Sequence, residues 1–67
     1  MPLIQVTMVE GRTTQQKEAL IANLSASAAE TLDVPIDRVR VAIYEVGADS
    51  YGIGGAAYSV VRGVPTA

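Results

Sequence analysis

The period of the hydrophobic pattern changes twice along this chain, and these two changes restrict the fold more than any other feature. Leu3–Val9 alternates with a period of two, which is typical of a β-strand. Thr14–Leu32 instead carries one apolar stripe at spacings of three and four, which indicates an amphipathic helix. Residues 39–46 return to alternation. This order predicts an α/β fold built on a βαβ unit with parallel strands and a right-handed crossover.

Both ends of the predicted helix carry local signals. Thr13 and Gln16 fit a capping box, in which the hydroxyl and the side-chain amide satisfy free backbone N–H groups. Val34 and Pro35 end the helix, because the residue before a proline avoids the helical region and proline has no N–H to donate. The stripe predicted to face the sheet consists of Leu20, Ile21, Leu24, Ala28 and Leu32.

Glycine shapes the C-terminal third of the chain. Residues 47–50 form a loop, and the glycines among residues 52–55 can hold the positive φ angles of a tight hairpin. Tyr58–Arg62 is predicted as a short extended run after that hairpin, and residues 63–67 as a flexible tail. The whole chain, residues 1–67, is therefore expected to be one small domain with a C-terminal β-hairpin.

The length argues for assembly. A chain of 67 residues buries a smaller share of its surface than a larger domain does, and such chains usually add disulfides, a metal or partner subunits. The sequence contains no Cys and no His, which excludes disulfides and the usual zinc ligands. Apolar residues make up 49% of the chain, and one helix covers only one face of a two-stranded sheet. We expect a homo-oligomer that assembles through its sheets.

The charges exclude other classes of protein. Five basic and seven acidic residues give a net charge of −2, and the basic residues are scattered. A nucleic-acid site would need a basic stripe or interleaved aromatic residues, so no nucleic-acid partner is expected. No apolar stretch approaches the ~20 residues that cross a bilayer, and the start lacks the pattern of a signal peptide. The chain is interpreted as cytoplasmic, with no membrane partner.

Pro2 is the most unusual candidate for chemistry. Initiator methionine is normally removed before proline, and removal of Met1 would leave a secondary amine at the start of the first strand. The ordinary pKa of an α-amino group is about 7.7–8.0, and an apolar, cation-lined site would disfavour its protonated form. Pro2 could then act as a general base near neutral pH. Met-Pro starts are also common in proteins that make no such use of them.

The arginines allow two interpretations. Arg40 stands between two valines in a strand that should be largely covered, where a guanidinium needs an anionic partner such as a substrate carboxylate. Arg12 follows the first strand directly. Either residue could instead be a solvated surface charge, and Asp37 or Glu45 could form structural ion pairs with neighbouring arginines.

Four short blocks in this order carry a resemblance to a known family: Pro2-Leu3-Ile4, Glu10-Gly11-Arg12, Val39-Arg40-Val41 and Tyr51-Gly52-Ile53-Gly54-Gly55. The residue types of these blocks and the spacing between them resemble the 4-oxalocrotonate tautomerase family. The resemblance extends without a gap over about residues 2–62. Each block alone is weak, but the ordered set in so short a chain is specific.

The resemblance implies a homohexamer that needs no cofactor or metal and isomerises a dienol dicarboxylate, 2-hydroxymuconate, to its conjugated 2-oxo form in the degradation of aromatic compounds. It implies that Pro2 takes the hydroxyl proton and returns it to a carbon of the substrate. Arg12 would bind the distal carboxylate, and Arg40 of a neighbouring subunit would hold the 2-oxygen and the near carboxylate. Fixed guanidinium groups would stabilise the charge that develops on oxygen.

Three further positions are expected to contact the substrate. Tyr51 stands where the family usually has phenylalanine, so the aromatic wall gains a hydroxyl. Arg38 stands where the family commonly has serine, and a third arginine strengthens anion binding, contacts a different substrate or points to solvent. Val9 would add apolar wall. Both Tyr51 and Arg38 can change substrate preference.

Two other functions remain open at this point. The same scaffold could hydrate or dehalogenate an unsaturated acid, although no carboxylate is clearly placed to activate water. The chain could also be a non-catalytic oligomeric binding protein that has lost its base.

Overall fold

The computed structural model describes residues 1–62, which form one βαβ unit followed by a hairpin and a short helix. Strand β1 spans Leu3–Val9, helix α1 spans Thr14–Leu32 and strand β2 spans Arg40–Val46. A 3-10 turn, Ile36–Arg38, lies between α1 and β2. The remaining elements are the strands β3 (Gly52–Ile53) and β4 (Ala56–Ala57) and the helix α2 (Tyr58–Arg62). The predicted α/β class is confirmed.

β1 and β2 pair in parallel, as expected for strands joined by a helical crossover. The register runs from Leu3 opposite Arg40 to Val9 opposite Val46. Paired residues of a parallel ladder project to the same face, so the register defines two faces. On the face covered by α1, Lys17 forms an ion pair with Glu45. The other face is uncovered in the protomer.

Both helix signals act as predicted. The Thr13 hydroxyl accepts from the Gln16 N–H at 3.0 Å, and the Gln16 side chain accepts from the Thr13 N–H at 3.0 Å. At the other end, Asp33 adopts the left-handed conformation with φ of 55° and stops the helix before Pro35. Only part of the predicted stripe faces the sheet. Its half-buried members are Leu20, Leu24 and Ala28, whereas Ile21 and Leu32 are exposed.

The hairpin is confirmed, but the prediction for the segment after it is wrong. β3 and β4 pair antiparallel around Gly54 and Gly55, whose φ angles are 61° and 90°. Tyr58–Arg62, predicted to be extended, forms α2 instead. The Tyr58 N–H donates to the Tyr51 carbonyl at 2.6 Å and extends the β3–β4 register by one pair. The Ser59 N–H instead donates to the Ala48 carbonyl at 3.0 Å, so the ladder ends there. The predicted flexible tail, residues 63–67, lies outside the described residues.

The protomer is flat and has almost no core of its own. Among residues 1–62, Val39 and Ala48 are the buried apolar residues. The chain measures 42 × 25 × 13 Å with a radius of gyration of 14.9 Å, against about 11 Å for a compact domain of this length. Its accessible surface is 4908 Å², against about 4,000 Å² for a compact monomer of this mass.

Large apolar side chains remain exposed on the protomer. Leu3 and Tyr44 are both more than half exposed, and both lie on the uncovered face of the sheet. A compact monomer would cover such a face, so this shape is the one expected of a subunit. None of the helices within residues 1–62 is long and apolar enough to cross a membrane.

Candidate active site

Arg12 lies at the carboxyl end of β1, between two shallow grooves. Gly11, with φ of 127°, turns the chain out of the strand, and Thr13 then caps α1, so Arg12 is held between two fixed points. One groove of about 200 Å³ is lined by Val9, Glu10, Gly11, Arg12 and Tyr58. The other, of about 250 Å³, is lined by Met8, Arg12, Gln16, Lys17 and Leu20.

The Arg12 guanidinium is available to an anion. Within residues 1–62 it has no hydrogen-bond or ion-pair partner. The neighbouring cation of the second groove, Lys17, is already paired with Glu45 at 2.9 Å. A guanidinium offers five N–H donors in a planar fork that suits a carboxylate. Arg12 is therefore a candidate to hold an acidic ligand at this end of the sheet.

Tyr58, which lines the first groove together with Arg12, packs against Tyr51, which lines neither groove. The rings of Tyr51 and Tyr58 meet edge to face, with centroids 6.0 Å apart and an angle of 70° between the planes. The Arg62 guanidinium lies over the Tyr58 ring, 5.9 Å from its centroid. Tyr51, Val9 and Arg12, all predicted from the sequence, are thus grouped at one end of the protomer.

Tyr58 was not predicted as a site residue. The reason is the incorrect secondary structure of its segment, because in an extended run Tyr58 and Arg62 would not be neighbours. In a helix, residues four apart lie on the same face, and an aromatic residue four positions before an arginine is a typical stacking pair. That spacing was the signal that could have identified Tyr58.

Pro2, Arg38 and Arg40 lie at the opposite end of the sheet. The backbone N–H of Arg40 donates to the Pro2 carbonyl at 3.0 Å. The Arg40 side chain turns towards the 3-10 turn, where Nη1 donates to the Asp37 carbonyl at 2.7 Å. Arg38 is exposed, and Pro2 is half-buried.

The suggested structural ion pairs of the arginines are absent from the part of the chain described. The Glu45 carboxylate pairs with Lys17, and Asp37 meets Arg40 through its main-chain carbonyl and not through its carboxylate. The charge of Arg40 is therefore not neutralised by a carboxylate within residues 1–62.

Within one protomer, two of the predicted catalytic residues, Pro2 and Arg12, lie far apart. Pro2 precedes β1 and Arg12 follows it, and at about 3.3 Å per residue the strand holds them roughly 25 Å apart. No six-carbon substrate spans that gap. The two grooves are also smaller than the roughly 300–1,000 Å³ of most small-molecule sites. A site that contains both residues needs a second copy of the chain.

Comparison with solved structures defines the class of protein. TomN, a 4-oxalocrotonate tautomerase homologue of the tomaymycin biosynthetic pathway, superimposes with a TM-score of 0.90 at 40% identity, covering 92% of this chain and 95% of that one. A heterohexameric 4-oxalocrotonate tautomerase from Chloroflexus aurantiacus gives 0.88 at 44% identity, covering 92% and 100%. The fold is that of the 4-oxalocrotonate tautomerases, and the solved relatives include oligomers.

The sequence comparison agrees. The 2-hydroxymuconate tautomerase of Pseudomonas sp. (strain CF600) is 48% identical over 62 residues, which cover 92% of this chain and 98% of that protein. The family model described as "Tautomerase enzyme" matches residues 2–60. This chain belongs to the tautomerase family, and it is an isomerase, as the resemblance of its four sequence blocks implied.

Proposed function

We propose that this tautomerase converts 2-hydroxymuconate, or a closely similar dienol acid, to its conjugated 2-oxo isomer without a cofactor. The observation that carries the proposal is the Arg12 guanidinium, which has no partner within residues 1–62 and lies beside a groove walled by Val9 and Tyr58. Such a site suits an elongated acid with an apolar middle. The 48% identical Pseudomonas protein named 2-hydroxymuconate tautomerase supports this choice of substrate.

Pro2 is the proposed general base, in a form of the protein that lacks Met1. Met1 is 83% exposed, so the bond before Pro2 is open to a processing enzyme. While Met1 is attached, the Pro2 nitrogen is a tertiary amide without a basic lone pair. Its removal leaves a secondary amine at the start of β1. The amine takes the proton of the 2-hydroxyl group and returns it to a carbon at the far end of the conjugated chain.

The arginines supply the electrostatic part of the proposed mechanism. As the hydroxyl proton leaves, negative charge spreads from the 2-oxygen through the diene to the distal carboxylate. Arg12 binds that carboxylate and stabilises the charge arriving there. Arg40 of a neighbouring subunit holds the 2-oxygen and the near carboxylate. Arg38, the last residue of the 3-10 turn, and Tyr51, in contact with Tyr58, add binding contacts.

The proposed working unit is a homo-oligomer, with a hexamer as the expected size, formed through the uncovered face of the sheet. The roughly 25 Å between Pro2 and Arg12 supports this proposal, because only contact between copies can bring the two residues to one substrate. The heterohexameric relative supports the same number of subunits. We further propose that the domain comprises residues 1–67 and works in the cytoplasm, in the degradation of aromatic compounds.

The test is an ultraviolet assay with protein whose mass shows that Met1 is absent. We expect the absorbance of 2-hydroxymuconate to fall, and Pro2→Ala to slow the reaction at least about 100-fold, the lower range for loss of a general base. Chloride or hydrated product from a halogenated acrylate would instead show a dehalogenase or hydratase. An assembled, processed protein that turns over neither substrate would be a binding protein, and the proposal would be wrong.

A further inference from the structure

We propose that Tyr58 is a specificity-determining residue whose phenolic hydroxyl donates a hydrogen bond to the distal carboxylate of the substrate, beside Arg12. The inference rests on the proposed function, because it assumes an acid bound at Arg12. It assigns to this enzyme a second donor for that carboxylate and hence a preference for dicarboxylates over the corresponding monocarboxylates.

The position of Tyr58 carries the inference. Tyr58 and Arg12 line the same 200 Å³ groove, although 46 positions separate them in the sequence. Tyr58 is half-buried, and its backbone N–H is bonded to the Tyr51 carbonyl at 2.6 Å. Tyr58 is therefore a fixed part of the groove wall beside Arg12.

The ring of Tyr58 is held from two directions. The Tyr51 ring meets it edge to face at 6.0 Å, and the Arg62 guanidinium lies over it at 5.9 Å. These contacts restrict the two torsion angles of the side chain. A restricted phenol loses little conformational entropy when it donates a hydrogen bond, so the bond contributes more fully to ligand affinity.

The hydroxyl of Tyr58 has no hydrogen-bond partner among residues 1–62. The contrast is Tyr44, whose hydroxyl accepts from the Gln5 side chain at 3.3 Å. A carboxylate held by a guanidinium keeps lone pairs free for a further donor, and a hydrogen bond from a phenol to a charged oxygen is a strong one. An acid bound at Arg12 supplies the acceptor that Tyr58 lacks.

The experiment compares Tyr58→Phe with the parent enzyme on two substrates. One is 2-hydroxymuconate, and the other is 2-hydroxypenta-2,4-dienoate, which lacks the distal carboxylate. We expect KM for the dicarboxylate to rise about tenfold or more, because hydrogen bonds to charged groups are worth at least that factor. KM for the monocarboxylate should stay unchanged. Equal effects on the two substrates, or no effect on either, would overturn the inference.

Tyr44→Phe is the matched control, since it removes the same atom on the uncovered sheet face. It should leave both KM values unchanged at an equal state of assembly. Binding of muconate, a dicarboxylate that cannot be tautomerised, separates the two proposals. If the parent protein turns over neither dienol, the proposed function fails, and an approximately tenfold weaker binding of muconate by Tyr58→Phe still supports the contact. Unchanged muconate binding contradicts it.

Discussion

The backbone N–H of Arg40 donates to the carbonyl oxygen of Pro2 across 3.0 Å. This hydrogen bond ties the start of β1 to the start of β2, in line with the Leu3–Arg40 pair that opens the parallel ladder. The hydrogen bond involves the carbonyl oxygen of Pro2 and not its nitrogen, so loss of Met1 does not disturb this bond. The structure therefore separates the anchoring of Pro2 from the chemistry proposed for its nitrogen.

Retention of Met1 is predicted to abolish activity without unfolding the protein. Met1 is 83% exposed in the protomer and the Pro2 carbonyl keeps its donor, so the processed and unprocessed forms should give the same circular dichroism spectrum. Their turnover should differ by at least about 100-fold, because the amide nitrogen of unprocessed Pro2 is not basic. The two forms are distinguished by intact mass, and equal activity of both would eliminate Pro2 as the base.

Complementation between copies is predicted from the separation of Pro2 and Arg12. Pro2→Ala and Arg12→Ala should each be nearly inactive alone. After the two variants are unfolded together and refolded as mixed assemblies, some sites should combine an intact Pro2 with an intact Arg12 and recover activity. Separately refolded and then combined samples are the control. Mixed assemblies as inactive as the single variants would show that both residues act within one chain.

Arg40→Ala is predicted to lower both the turnover number and the affinity for 2-hydroxymuconate. The guanidinium has no carboxylate partner within residues 1–62, so its loss removes charge stabilisation and not a structural ion pair. Loss of one such donor from an active site typically costs about 100-fold or more in rate. The hydrogen bond to the Asp37 carbonyl is also lost, at about 1 kcal/mol, which urea unfolding measures independently. An unchanged kcat would exclude Arg40 from the site.

The uncovered sheet face is predicted to be the contact surface between copies. Thr7 lies near the middle of this face, opposite Tyr44 in the ladder and away from both ends of the sheet. Thr7→Asp would place a charge in a contact that excludes water, and sedimentation should show dissociation to smaller species. Ala22→Asp puts the same charge on an exposed position of α1 and should leave the mass of the assembly equal to that of the parent protein. If Thr7→Asp forms assemblies of the same mass as the parent protein, the uncovered sheet face is not the contact surface between copies.

The capping box is predicted to stabilise the fold next to Arg12. Thr13→Ala removes the acceptor of the Gln16 N–H and should lower the free energy of unfolding by about 1 kcal/mol. Thr14→Ala, one residue later in the first turn of α1, removes no capping group. It should not lower the free energy of unfolding, because alanine is the better helix former. Both are compared by urea unfolding at one protein concentration. Equal losses for the two variants would contradict a capping role.

Much of the fold could be predicted from sequence patterns that involve only a few neighbouring residues. The alternation of Leu3–Val9, the Thr13–Gln16 box and the paired glycines 54 and 55 each act over short distances, and the structure has the element that each predicts. The prediction failed for Tyr58–Arg62, which forms α2 and not an extended run after the hairpin. The ladder ends at Tyr58, because the Ser59 N–H donates to the carbonyl of the distant loop residue Ala48.

For the site, the sequence alone determined which groups could do the chemistry, since without His or Cys the candidate bases are the carboxylates, Lys17, the tyrosines and the amine that loss of Met1 exposes. Only the tertiary structure decided where these groups lie. The parallel pairing of β1 with β2 puts Pro2 beside Arg40 and sends Arg12 to the far end, next to Tyr58. A local sequence pattern reflects residues only a few positions apart. The positions of Pro2, Arg40, Arg12 and Tyr58 relative to one another depend on contacts between residues distant in the sequence, so a local pattern cannot predict them.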